Sequence, residues 1–332
     1  MKTTIKDVAK NAGVSISTVS RVLNNSAFVD ELTKQRVILS AQELHYTPNQ
    51  AARSLTRSET KTIGLILPGL FGEYFSEVLR GMDRIASAED FDIMISGSKS
   101  IGTKFEKSIR AMSGRVDGLI IMSPIIKSSL LREMIPVRMP AVLLNANEEN
   151  SMFDTVNVNN SEGAFVSVNH LIRLGHKRIA LISGVEESYD SQLRRAGYRK
   201  AMMSNGLGQF IIEVNGSFTR MSGRVAAEEL MSLQERPTAI FAANDAMAIG
   251  AMDAVQERGL RIPDDLAMVG FDDIPMSQYS NPKLTTIRIA LEQFGETAMR
   301  RILFAVREKG TLELQHTVLG FELVVRASSI GK

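Results

Sequence analysis

The chain has 332 residues, 44% of them hydrophobic, with 39 Lys+Arg against 37 Asp+Glu and no cysteine. That length supports two or three domains with sizeable cores, and the missing cysteines exclude a disulfide framework or a thiolate metal site. A net charge of only +2 excludes a general polyanion binder, yet residues 1–60 hold eight Lys/Arg against five Asp/Glu, so the basic excess sits at the N-terminal end.

Residues Thr4 to Asn24 read TIKDVAKNAGVSISTVSRVLN. Thr4 followed by Asp7 is a capping-box variant that opens a helix. Val8 and Ala9 point inward on it, and Gly13 suits a left-handed C-cap without Cβ strain. Val14 plugs the turn, and Ser15 can cap a second helix with Val19, Val22 and Leu23 on one face. Its other face carries Ile16, Ser17, Thr18, Ser20 and Arg21, short hydrogen-bonding side chains with one planar cation, which suit the floor of a DNA major groove. An ordinary helical hairpin with a solvated polar face is the competing reading. The spacing predicts a third helix from Thr33, with Val37, Ile38, Ala41 and Leu44 on one side and Tyr46 closing a small core. In TPNQAARSL, Thr47 to Leu55, Pro48 resets the backbone and Asn49 can cap a helix of two turns. So short a helix forms only against something else. Arg53, Arg57 and Lys61 flank it.

From Lys61 onward, continuous apolar runs alternate with helical patterns. The strand candidates are TIGLILP from Thr62, DIMISGS from Asp92, GLIIM from Gly118 and AVLLN from Ala141. A second series has RIALIS from Arg178, FIIEV from Phe210, AIFAAN from Ala239 and LAMVGF from Leu266. Such spacing indicates buried parallel strands in βαβ units, hence two doubly wound α/β lobes. TTIRI near Thr285 and VLGFELVVR near Val318 read as late strands that return between the lobes. The expected domains are residues 1–47, a short helix and linker at 48–61, and a two-lobed domain at 62–332. Its first lobe takes about 62–161 and 290–320, and its second about 162–289 and 321–332.

Two such lobes enclose a cleft at the carboxyl ends of their strands, where open α/β sheets bind ligands. Asn145 ends one strand, Asn244 and Asp245 end another, and Asp272 and Asp273 follow a third. Arg194 can offer a bidentate fork, and Phe75 and Phe218 supply flat apolar faces. Amides, a carboxylate, an arginine and aromatic plates suit a neutral polyhydroxylated ring. Asn and Asp at strand ends are also common turn-formers. Asp245 and Asp273 are read as loop supports, and Tyr74 as either core or ligand-facing. His45, His170, His176 and His316 lack metal-ligand spacing and are read as surface or packing residues. No cofactor site is expected. Nor is a membrane span, since no run of about 18 apolar residues occurs. The Met-Lys start without a signal-like apolar core points to a cytoplasmic protein.

Further strings lie in order along the chain: YF at Tyr74, RRAGY from Arg194, FTRMSG from Phe218, AANDAMAIGAM from Ala242, GFDD from Gly270 and LTTI from Leu284. With the helix-turn-helix and TPNQAARSL, they resemble the LacI-type bacterial repressor family over nearly the whole chain. The resemblance implies a helix-turn-helix headpiece, a hinge helix and a two-lobed effector domain like periplasmic binding proteins. It implies a homodimeric regulator of a palindromic operator, controlled by a small effector and without enzymatic activity. It puts DNA contact on Thr4, Ser15, Ile16, Ser17, Thr18, Ser20, Arg21, Asn24, Asn49, Ala52, Arg53 and Leu55. Leu55 would be the wedge that enters the minor groove, as against simple packing on the next domain. It puts effector contact on Tyr74, Phe75, Asn145, Arg194, Phe218, Asn244 and Asp272. Sugars generally induce in this family and purines act as corepressors, so a sugar-like effector is expected, with a nucleobase as the alternative.

Two segments depart from the family pattern. Many members have Asn-Pro before the paired aromatics, where this chain has Gly72 and Glu73, and EESYDSQL from Glu186 is unusually acidic. The chain reaches Lys332 soon after Arg326 without the heptad tail of the family's tetramers, which favours a dimer. Two other classes compete. An enzyme would use Asp272 and Asp245 as acid and base, but no dinucleotide fingerprint, phosphate loop or nucleophile–base set accompanies them. A sugar-binding transport receptor shares the two-lobed fold but would not carry the helix-turn-helix.

Overall fold

The computed structural model describes residues 3–23, 29–46, 59–69, 72–97, 103–122, 128–147, 151–308 and 313–330. They fall into two units, Met1–Thr60 and Lys61–Lys332. In the first unit, side-chain caps set where each helix begins. The Thr4 backbone N–H and hydroxyl both donate to Asp7 Oδ2, at 2.9 and 2.7 Å, opening α1 (Ile5–Ala12). Gly13 takes φ 63° at its C-terminus, and the Val14 N–H returns to the Ala9 carbonyl at 3.0 Å. Ser15 Oγ then accepts from the Thr18 N–H at 3.1 Å and starts α2 (Ile16–Leu23).

The third helix, α3 (Glu31–Glu43), begins two residues before the expected Thr33, because Asp30 captures the Thr33 N–H at 2.9 Å and becomes its cap. Val8, Ala9, Ala12, Val19, Val22, Val37 and Ala41 form the core of this unit, with Leu44 and Tyr46 packed beside it. Ile38 does not join them and is exposed. At 3.6 residues per turn it falls about 100° from Val37. Buried Ser40 takes the inward place, donating its hydroxyl to the Val8 carbonyl at 3.2 Å.

The second unit begins with β1 (Thr62–Leu67), α4 (Glu73–Ala88), β2 (Asp92–Gly97), α5 (Thr103–Met112), β3 (Gly118–Met122), α6 (Ser128–Met134), β4 (Ala141–Leu144) and β5 (Asp154–Val158). The chain crosses over through α7 (Asn160–Arg173). It continues with β6 (Ile179–Ser183), α8 (Tyr189–Ser204), β7 (Ile212–Asn215), α9 (Arg220–Ser232), β8 (Ala239–Ala242), α10 (Asp245–Glu257), β9 (Ala267–Asp272) and β10 (Thr285–Arg288). It returns with α11 (Leu291–Arg307) and β11 (His316–Leu319), then ends in β12 (Glu322–Val324).

Two six-stranded sheets result, ordered β11-β5-β4-β3-β1-β2 and β12-β10-β9-β8-β6-β7. Every described pairing is parallel except β10 with β12. Each sheet reverses its order beside its first strand, β1 in one and β6 in the other, and crevices open at such points. Buried aliphatic side chains such as Ile63, Leu65, Ile120, Leu181, Ile240 and Val269 fill the space between sheets and helices. Each contributes about 1.5–3 kcal/mol relative to exposure.

Three details differ from the sequence reading. β5 was not anticipated, because DTVNV mixes polar and apolar residues. It is nonetheless buried throughout, and Asp154 is paired with Arg301, whose Nε and Nη2 donate at 2.9 and 3.0 Å. Phe210 belongs to a short 3-10 turn, Gly208–Phe210, and the strand starts only at Ile212. The segment around Val318 is two strands in different sheets, so that the chain crosses between lobes within a few residues.

Candidate functional site

Because the strands are parallel, their carboxyl ends face one crevice. Tyr74, Phe75, Asn145, Arg194, Phe218, Asn244 and Asp272 all line a single cavity of about 150 Å³ there. Tyr74 and Phe75 open α4, their rings edge-to-face with centroids 5.4 Å apart. Tyr74 both packs against the core and faces the cavity, so its two expected roles coexist. Phe218 lies against Gly184, where a Cβ would overlap its ring.

Backbone strain concentrates at this site. Asn145, Phe218, Asp272 and Asp273 all have positive φ, at 52°, 60°, 114° and 55°. Such non-glycine conformations cost on the order of 1–3 kcal/mol each and gather at ligand clamps.

Arg194, on α8 and 4% exposed, organises the charge. Its Nε donates to Asn160 Oδ1 at 2.7 Å, its Nη1 donates to the Ala243 carbonyl, and its Nη2 lies 3.2 Å from Asp272 Oδ1. The guanidinium also stacks 3.7 Å from the Phe271 ring centroid. The free fork expected from sequence is therefore largely committed inside the protein. Burial pushes the Asp272 carboxyl up to about 7, and Arg194 holds it from going further. Burial likewise raises the Tyr74 phenol, with Asp190 and Asp272 adding to the effect.

Asn244 is committed as well. Its Oδ1 caps α10 through the Met247 N–H at 2.9 Å, and its Nδ2 donates to the Phe218 carbonyl at 3.1 Å. Asn145 donates from Nδ2 to Tyr74 Oη at 3.2 Å. By contrast, buried Asn145 Oδ1 and Ser188 Oγ have no hydrogen-bond partner, and Asp272 Oδ1 has only its ion pair with Arg194. A buried unsatisfied polar atom costs about 1–3 kcal/mol, so two around one cavity indicate a place where a ligand can complete the network.

Sequence reasoning missed the three polar lining residues Glu73, Ser188 and Asp190. Asp190 lies one turn before Arg194 and accepts from Asn160 Nδ2 at 3.0 Å. Burial pushes it up to about 6 against the pull of Arg194. The signal was present, since both departures from the family pattern fall on these residues. Glu73 accepts the Met276 N–H at 2.8 Å, a bond that spans the cleft mouth between the lobes.

Asp245 and Asp273 have structural partners. Asp273 is bound by Arg288 Nε and Arg326 Nη1, both at 2.7 Å, and by the Ser277 hydroxyl. Asp245 is fully buried, accepting from the Ile274 N–H at 2.9 Å and the Thr286 hydroxyl at 2.5 Å. It cannot reach a substrate as an acid or base. Burial, with Asp272 and Asp273 adding to it, raises the Asp245 pKa well above 3.8. An acid raised in the folded state binds more protons folded than unfolded, so its contribution to stability falls as pH rises from 3.8 toward the folded value. Asp245→Asn, which cannot titrate, should therefore gain stability relative to wild type as pH rises from 5 to 8, by at most about 1.4 kcal/mol per pH unit. Urea unfolding at several pH values reads this difference; a flat difference would show Asp245 to be ionised throughout.

On α2, Ile16, Ser17 and Arg21 are exposed, and Thr18 and Ser20 are half-buried. Ser15 Oγ lies 2.7 Å from Ser17 Oγ and 2.9 Å from Thr18 Oγ1, a hydroxyl cluster at the start of the helix. Thr4 stands in its capping box. Asn24, Asn49, Ala52, Arg53 and Leu55 lie outside the described residues. His170, His176 and His316 each bond one hydroxyl, of Ser329, Thr238 and Thr155 respectively, at 2.8–2.9 Å. Among the described residues, no helix is long and apolar enough to cross a membrane.

Comparison with known proteins agrees with both units. Residues 4–49 match the model of bacterial regulatory proteins of the lacI family, and residues 168–329 match that of a periplasmic binding protein-like domain. The probable HTH-type transcriptional repressor ExuR of Bacillus subtilis is 36% identical over 331 residues, covering 98% of both chains. The HTH-type transcriptional repressor PurR of Vibrio campbellii is 35% identical over 312 residues, covering 92% of each. Among solved structures, the Lac repressor dimer bound to operator and the anti-inducer ONPF is similar with a TM-score of 0.88 at 29% identity. That match covers 100% of both chains.

Proposed function

Since the chain belongs to the LacI family of bacterial regulatory proteins and is a DNA-binding transcriptional repressor, we propose that a sugar-like ligand in the cleft between its lobes sets its affinity for an operator. The observation that carries this reading is the convergence of Tyr74, Phe75, Asn145, Arg194, Phe218, Asn244 and Asp272 on one cavity with unsatisfied polar atoms. The aromatic rings suit the C–H face of a sugar, and the orphaned oxygens suit its hydroxyls.

On DNA, α2 is the reading helix. Ile16, Ser17, Thr18, Ser20 and Arg21 face the groove, with Thr4, Ser15 and Asn24 at its edges. Two chains pair and match a palindromic operator, and the hinge residues Asn49, Ala52, Arg53 and Leu55 meet at its centre, Leu55 as a wedge. Ligand bound between the lobes alters their closure and so biases the hinge segment. Such coupling is typically about 1–3 kcal/mol, a change of about 5- to 150-fold in operator affinity. A repressor of this kind acts in the cytoplasm, where its operator is. A nucleobase, stacked between the same aromatics, is the second reading.

Arg21→Ala tests the assignment of the reading face. Base readout by this side chain predicts a loss of about 1–3 kcal/mol on the operator and a smaller loss on random DNA at the same salt. Equal losses on both DNAs would make Arg21 a phosphate contact.

A further inference from the structure

The charged side chains of the cleft are mostly acids. Among its described lining residues, Glu73, Asp190 and Asp272 are acidic, and Arg194 is the one base. That base is not free to receive an anion. Its Nε and Nη1 are bonded to Asn160 and Ala243, and its Nη2 is beside Asp272. Asp190, one turn earlier on α8 and also buried, is drawn toward its charged form by the same guanidinium, so one cation serves two buried carboxyls. Protonating both still leaves one acid against one base, and no protonation of these two carboxyls makes the described lining positive. Of the two unsatisfied lining atoms, Asn145 Oδ1 is an acceptor and carries no charge to attract an anion, and the Ser188 hydroxyl is neutral and can donate or accept.

We infer that the cleft selects a sugar that is not anionic and that brings hydroxyl donors to Asp190, Asp272 and Asn145, and that it rejects sugars carrying a carboxylate or a phosphate. This rests on the sugar reading of the same cleft and adds its charge rule. Asp190 and Glu73 set that rule, since Arg194 and Asp272 alone would balance. Ligand hydroxyls that donate to the two buried carboxyls favour their ionised forms, so binding tightens between pH 5 and pH 8 as Asp190 and Asp272 lose protons. The groups facing them are Arg194 and Asn160 from the helices, Asn145 and Tyr74 from the first lobe, and Asp245 behind Asp272.

The test uses matched triples on the full chain at pH 8, namely glucose, galactose and mannose, each with its uronate and its 6-phosphate, read by thermal shift and calorimetry. A neutral member should bind, and its two anionic partners should bind about 100-fold more weakly or worse, as expected for an unpaired charge placed beside like charge. Asp190→Asn should narrow that ratio by about tenfold, the effect of weakening one charge contact. The wild-type ratio decides the matter even if that variant does not fold. A uronate or phosphate ester that binds as tightly as its neutral partner, with binding lost in Phe218→Ala, overturns the charge rule and leaves the sugar reading standing. If no sugar of either charge binds, or adenine or hypoxanthine binds instead, the sugar reading fails and the charge rule falls with it.

Discussion

Arg194→Ala is expected to abolish the response of operator binding to ligand and to cost about 3–5 kcal/mol of stability at pH 8, the usual result of removing one partner from a buried pair. The variant leaves Asp272 and Asp190 buried without their shared cation and cuts the links to Asn160 and Ala243. The cost should shrink toward pH 5. Burial already pushes Asp272 up to about 7 and Asp190 up to about 6, so in acid both carboxyls are largely neutral and have less to lose. Urea unfolding at the two pH values checks the sign. A cost that does not depend on pH would mean that Arg194 acts through its packing on Phe271 and its bonds to Asn160 and Ala243, not through the carboxyls.

Gly250→Val is expected to destabilise the protein by about 3 kcal/mol or more, the upper end of overpacking. Helices α9 and α10 cross so closely that a Cβ on Gly250 would overlap the Arg220 carbonyl, and one on Gly223 would overlap the Met247 carbonyl. Backbone cannot swing aside as a flexible side chain can, so the helices must separate. That movement also shifts Asn244, which caps α10 and ties down the Phe218 loop. Loss of ligand response should therefore accompany loss of stability, although Gly250 does not line the cavity. The midpoint of urea unfolding reads the first effect and calorimetry with the bound sugar the second; a cost under about 1 kcal/mol would show that the helices separate without strain.

Much of this architecture was legible because it rests on periodic signals. Apolar runs such as Ile63–Leu67 and Leu119–Met122 are buried on both faces, and that is the pattern a parallel strand requires. The caps Thr4 and Ser15 and the turn at Gly13 announce α1 and α2 through chemistry local to a few residues. Elements decided by distant partners were not legible. Asp154 sits in a buried strand because Arg301, far along the chain, neutralises it. Ile38 is exposed because Ser40 finds the Val8 carbonyl.

The cleft divided in the same way. Strand-end positions located Asn145, Asn244 and Asp272 on it. What those side chains do there depends on neighbours that only the folded chain brings together. Asn244 spends its amide on a helix cap, Arg194 spends its donors within the protein, and Asp190 supplies a second buried acid. Sequence spacing identified which residues meet but not which of their atoms remain available.

The most direct measurement is operator affinity by fluorescence anisotropy at constant salt, with and without the neutral sugar that stabilises the protein, for wild type and for Phe218→Ala. Ligand control through the cleft predicts a change of about 5- to 150-fold in wild type and none in the variant, with equal operator affinity for the two proteins when no sugar is present. An operator affinity that the bound sugar leaves unchanged, or a response that survives in Phe218→Ala, would contradict it.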